Sequence, residues 1–468
     1  MVFTSFAFAA FLLAFWPGFR LLRGKAQRLW LLIGSLAFYG WFDWRFLGLL
    51  LLSAGVDFVA GQLVEDPARR GRRLVLVGSL VVNLGVLFLF KYAGWAVTQI
   101  NALLPMLGVA GQYPVPELPL PVGLSFYTFQ SMAYTIDVYR GQTRATRSPL
   151  DFLAFIAFFP QLVAGPIERS RDLLPQIEAG PRVDRARQHS GAWLTLVGFW
   201  KKLFVADNLA VLVGAVYDDP AGAADPWMVL AATWAFTLQI YCDFSGYSDI
   251  ARGVARMLGY ELTLNFDLPL WATSPQDLWR RWHISLSHWL RDYLYIPLGG
   301  SRHGLIRTQI ALLLTMLLGG LWHGAAWTFV AWGAWHGVGL AVDRALRGRG
   351  ARDPGGLAGL LIAPLMFQFT AVGFLWFRAH DLPQATALLG ALADLPAAGP
   401  SDAAGVALRQ LGVVAAPLLL IEAWMKAKGL EPWLRLPVPV QLLLAAVLFL
   451  CAVVLGASFS RSFIYFQF

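Results

Sequence analysis

Two histidines stand inside a run of 35 positions, 308–342, that holds no Asp, Glu, Lys or Arg: His323 in LGGLWHGAAW and His336 in AWHGVG. Such a run belongs largely at membrane depth, where an ionisable side chain is costly and generally faces a bundle interior or a water-filled cavity. Such a side chain marks a functional path; the alternative is a buried structural histidine. Gly319, Gly320 and Gly324 flank His323 and permit close approach of a backbone or a substrate. Metal binding is the rival chemistry. His323 and His336 are 13 residues apart with no acid or cysteine between them, and His283 and His288 lie about 140° apart around a helix, so neither pair has the spacing of a helical zinc site. No metal is expected.

The second chemical cluster is Gln276 to Tyr293, QDLWRRWHISLSHWLRDY. Leu278, Trp282, Leu286, Trp289 and Tyr293 recur every three to four residues as one apolar stripe, with Arg280, Ser287, His288 and Arg291 pointing elsewhere and His283 at the border. The pattern predicts one helix lying in the membrane interface. Its arginines either grip anionic lipid headgroups or hold an anionic, phosphate-bearing donor. In YCDFSGYSDIARG (241–253), Asp243 and Asp249 end an apolar run; pairing with a base such as Arg252, or lining a polar cavity, are the two uses open to them. Between Phe158 and Ile177, prolines at 160, 166 and 175 preclude one straight helix, predicting a broken, partly re-entrant element.

The elements that must position these groups are membrane helices. The 468 residues are 57% hydrophobic and only 14% charged, with a mean hydropathy of +0.57, which excludes disorder, a nucleic-acid-binding module and a disulfide scaffold. About eleven apolar stretches are long enough to span a hydrocarbon core, from Val2–Trp16 to Leu436–Ala457, with Ile310–Leu340 among them. No serine-hydrolase elbow or phosphate loop appears. Residues 15–19, Phe-Trp-Pro-Gly-Phe, do not resemble a signal-peptide cleavage site, so the first stretch reads as a retained helix. Arg20, Arg23, Lys25 and Arg28, then Arg69, Arg70, Arg72 and Arg73, mark two cytoplasmic loops and put the N-terminus outside the cytoplasm.

Taken together, PVGLSFYTFQSMAYTIDVYRG (121–141), FFPQLVAGPIERSRDLLPQI (158–177), YCDFSGYSDIARG, LWRRWHISLSHWLRDYLYIPLGGSR (278–302), LLGGLWHGAAWTFVAWGAWHG (317–337) and the terminal FIYFQF are specific. The chain resembles the membrane-bound O-acyltransferase family, in its bacterial alginate O-acetylation branch. The resemblance implies an all-α polytopic fold, a single integral-membrane domain over 1–468 with core motifs at 121–345. Its helices would surround a centre pinched between a cytoplasmic and an external funnel. The family's membrane histidine falls on His323, implying a general base, and its second polar position falls on His283. Arg280, Arg281, Arg291 and Trp282 become donor-binding candidates. Acetyl-CoA is implied as donor substrate, with no permanently bound cofactor. The implied acceptor is a polysaccharide hydroxyl, reached through a periplasmic hydrolase-like partner from the bacterial inner membrane. D-alanyl transfer and a transporter or flippase are the alternative functions; transporters often show internal repeats, and none is present.

Overall fold

The computed structural model describes residues 1–219, 221–348, 353–457 and 463–466. Helices account for all regular structure among them, and no strand occurs. They form two compact units, 1–188 with 254–263, and 189–253 with 264–468.

In the first unit, polar side chains tie apolar helices together. Asp57, on the helix Leu47–Val64, is fully buried and accepts hydrogen bonds from Ser79, Asn83, Ser131 and Thr135. The donors stand on Arg72–Leu87 and Leu124–Tyr139, so one carboxylate joins three helices. Lipid is as apolar as leucine, which leaves polar bonds and close packing to associate membrane helices. Phe158 to Ile177 is broken as expected: a single turn, Phe159–Leu162, precedes an extended stretch and the helix Ser170–Ala179, which retains Pro175. Glu168 fastens that stretch by accepting from the Thr263 amide at 2.6 Å and its hydroxyl at 3.0 Å.

The second unit carries the histidines. Ile310–Leu340, expected as one apolar stretch, is two helices, Gly304–His323 and Trp327–Arg347. The chain turns at Gly324, whose backbone is extended, and His323 therefore ends a helix rather than sitting within one. Glycine is required for the pair to close. A Cβ on Gly320 would stand 2.2 Å from the Phe329 carbonyl oxygen, and one on Gly333 2.3 Å from that of Met316. Of the glycines near His323, Gly320 thus serves backbone approach, whereas a Cβ on Gly324 would stand 2.0 Å from the Phe329 ring.

By length and composition five helices among the described residues can cross a membrane: Trp44–Val64, Arg72–Leu107, Gly304–His323, Gly356–Arg378 and Asp402–Lys428. Other expected spans are helical but shorter or charged, such as Leu124–Tyr139 and Pro226–Leu258. Val438–Val454 leaves Leu442, Leu443 and Val454 each about two-thirds exposed, a surface suited to hydrocarbon.

Candidate active site

The interfacial helix expected over 276–293 does not form. The segment is two short helices, Pro275–Arg281 and Ile284–Leu290, followed by a π-turn at Arg291–Tyr295. The break falls on His283, at φ +43° and ψ +55°. Only one other non-glycine residue, Leu268, has positive φ among the described residues. A left-handed backbone at a histidine is uncommon and persists where surroundings over-determine it. Here Asn265 supplies the clamp. Its backbone oxygen accepts from the Ile284 amide at 2.9 Å, and its side-chain oxygen accepts from the Ser285 amide at 3.2 Å and hydroxyl at 2.8 Å. The apolar stripe is buried in protein: Leu278 is 3% exposed, Trp282 4% and Leu286 0%. Packing inside the unit, rather than a lipid interface, explains the periodicity.

The clamp turns the His283 ring inward, where it is 0% exposed. Its centroid lies 6.4 Å from that of His323 and 4.6 Å from Phe244. His323, 4% exposed, is surrounded by Trp322 and Trp332 at 5.0 Å each, Phe377 at 5.3 Å and Tyr465 at 5.6 Å. Two imidazoles separated by 40 residues of sequence are thus brought within one aromatic cluster.

Tyr465 reaches this cluster because the neighbouring Ile464 is pinned. The Ile464 amide donates to Asp243 at 2.8 Å, Asp243 is paired with Lys202 at 2.8 Å, and Lys202 also meets Asp207 at 2.9 Å. Asp249 is paired with Lys201 at 2.8 Å and more loosely with Arg252 at 3.6 Å. Both acids therefore have bases. Arg252 was legible by its spacing, whereas Lys201 and Lys202 come from the π-turn Trp200–Ala206. Gln467 and Phe468, which complete the terminal motif, lie outside the described residues.

The donor-binding candidates separate into two groups. Trp282 is buried against Phe374 at 5.0 Å, Phe266 at 5.1 Å and Tyr241 at 6.0 Å, directly before His283. Arg280 and Arg291 are about half exposed: Arg280 bonds Asp353 at 2.8 Å and Arg291 bonds Asp292 at 2.8 Å. Arg281 is held by Asp277 at 2.7 Å. Burial would raise the Asp353 carboxyl, but the Ser274 hydroxyl and the Arg347 and Arg280 guanidiniums outweigh it and hold that group below the usual carboxylate range.

The membrane-bound O-acyltransferase family model matches residues 141–352, which contain His283 and His323. The probable alginate O-acetylase of Azotobacter vinelandii is 42% identical over 403 residues, 84% of this chain and 78% of that protein. That of Pseudomonas aeruginosa is 43% identical over 392 residues, covering 82% and 73%. The chain belongs to the membrane-bound O-acyltransferase family. The peptidoglycan O-acetyltransferase of Helicobacter pylori, 32% identical over 428 residues and covering 82% and 79%, has the same breadth of match. A membrane-bound O-acyltransferase forms an ester between an acyl group and a hydroxyl, and the buried histidine pair supplies this member with candidate proton acceptors.

Sequence reasoning did not find Asn265, which has no motif signal before the backbone is seen. Tyr465 lay in a conspicuous terminal hexapeptide but could not be joined to His323 from spacing.

Proposed function

We propose that this protein transfers an acetyl group from cytoplasmic acetyl-CoA to a hydroxyl of an extracytoplasmic polysaccharide, alginate-like or a cell-wall polymer, working with a periplasmic partner. The whole chain acts as one integral domain of the bacterial inner membrane with an extracytoplasmic N-terminus. The observation that carries the reading is the 6.4 Å approach of the His283 and His323 rings inside a buried aromatic cluster. The relatives that match over most of the chain are named for O-acetyl transfer, which favours acetyl over D-alanyl.

In this reading His323 is the general base. It accepts the acceptor hydroxyl's proton as the oxygen attacks the thioester carbonyl; the carbon–sulfur bond then breaks and the thiolate leaves with the electron pair. His323 ends the helix Gly304–His323, and the negative end of a helix dipole stabilises the imidazolium that forms. The aromatic walls exclude water that would otherwise compete as acceptor. His283 orients the donor, its ring direction set by the Asn265 clamp, and Trp282 packs behind it. Arg280, Arg281 and Arg291 provide cationic contacts for the phosphates of acetyl-CoA.

The test is incubation of purified protein in proteoliposomes with acetyl-CoA labelled in the acetyl group, following label release or transfer to a polysaccharide. Turnover that vanishes in His323→Ala supports the proposal. No turnover with acetyl-CoA alongside robust turnover with a D-alanyl thioester would replace the donor.

A further inference from the structure

Away from the histidines, a cavity of about 440 Å³ opens among the helices Pro226–Leu258, Gly356–Arg378 and Asp402–Lys428. All its lining side chains are apolar, among them Trp234, Trp271, Leu360, Leu411 and Leu419. Small residues create the space: Ala363 and Pro364 on one helix and Gly412 and Ala415 on another face the void, and nothing lies within 4 Å of a Cβ added at Gly412. A cavity of this lining gives water no partners, so an apolar occupant is favoured. Its size falls within the ~300–1,000 Å³ of small-molecule sites.

The same cavity has one cationic end. The Lys426 ammonium sits 4.4 Å from the centre of the Trp271 ring, which also lines the void. On the helix Asp402–Lys428, the lining positions 408, 411, 412, 415 and 419 continue at helical spacing through 422 to 426, and the rise from 419 to 426 is about 10 Å. Glu422 on that stripe is occupied by the Tyr241 hydroxyl, and Lys428 adds a second cation to the last turn. An apolar slot in a membrane-spanning surface, ending at an indole capped by an ammonium, has the two chemistries of one amphiphile. We infer that this is a binding site for an anionic phospholipid, with an acyl chain between the helices Gly356–Arg378 and Asp402–Lys428 and the phosphate at Lys426. The site is independent of the proposed acetyl transfer.

The experiment uses the full chain in nanodiscs of phosphatidylcholine and phosphatidylglycerol, with either lipid as the probe carrying a photoreactive acyl chain and the labelled peptides identified by mass spectrometry. Phosphatidylglycerol label is expected on residues 356–367 and 408–419 in excess of label on the lipid-facing Val438–Val454. Gly412→Leu, which puts a side chain into open space and suits a helix, abolishes that excess, and Ala415→Trp does the same. Lys426→Gln lowers the preference for phosphatidylglycerol over phosphatidylcholine about fivefold. Equal labelling of all lipid-facing helices, an excess unchanged in folded Gly412→Leu, or equal labelling by the two lipids would each overturn the assignment.

Discussion

His323 and His336 lie on either side of one indole. The Trp332 ring is 5.0 Å from the first imidazole and 4.9 Å from the second. Both histidines come from the same charge-free stretch, both are buried, and composition cannot rank them. Their surroundings differ. His336 is enclosed by Trp279 at 5.4 Å and Phe369 at 5.5 Å, and a Cβ on Gly373 would stand 2.8 Å from its Nε2, so a helix backbone closes that side. Neither of its ring nitrogens has a hydrogen-bond partner among the described residues. His323 instead faces a second imidazole and a phenol at a helix terminus. A buried histidine acquires a chemical role from what converges on it, not from burial itself.

Substitutions can break this distinction. His323→Ala is expected to leave membrane-inserted protein at normal levels and to lower polymer acetylation by about 10²–10⁴-fold, the usual worth of a positioned base; ester content of the polymer measures it. His283→Ala should cost less, about 10–100-fold in turnover at saturating donor, and wild-type turnover there would remove His283 from the site. Asn265→Ala loosens the left-handed turn, keeping the backbone bond to Ile284 but leaving the Ser285 donors without their acceptor. A stability loss of about 1–3 kcal/mol follows, with turnover reduced in the protein that remains folded; thermal unfolding in detergent and single-turnover rates separate the two. Arg280→Gln should raise the KM for acetyl-CoA several-fold with little change in kcat, because it removes a phosphate contact, while loss of its exposed pair with Asp353 costs the fold only ~0–1 kcal/mol. His336→Phe, which keeps a ring among Trp332, Trp279 and Phe369, should change turnover least. A loss as large as that of His323→Ala would erase the contrast between the two histidines.

The fold class was legible because hydrocarbon admits few backbone solutions: long apolar runs with little charge have to be helices. His323 was legible as a candidate for a related reason, since an ionisable group in such a run needs a purpose, and the same reason nominated His336. Three features were not. The turn at Gly324 interrupts an apolar stretch without an Asp, Glu, Lys, Arg or proline, so hydropathy passes over it. The break at His283 rests on Asn265, 18 positions upstream, and the period of the stripe Leu278–Trp282–Leu286 survives the break because both short helices bury the same side. The bases for Asp243 and Asp249 were sought in local spacing, which supplied only the looser partner, Arg252; the closer contacts are Lys201 and Lys202, more than 40 residues away. Local periodicity records which side of a segment is buried, whereas a site is assembled by contacts distant in sequence.

The most direct test is a pre-steady-state measurement in proteoliposomes loaded with acetyl-labelled acetyl-CoA and an accepting polysaccharide, comparing wild type, His323→Ala and His336→Phe at equal amounts of folded protein. Rapid label transfer by wild type and His336→Phe, with none above background from His323→Ala, is the predicted result. Transfer by His323→Ala at the wild-type rate would contradict the assignment of the proton acceptor.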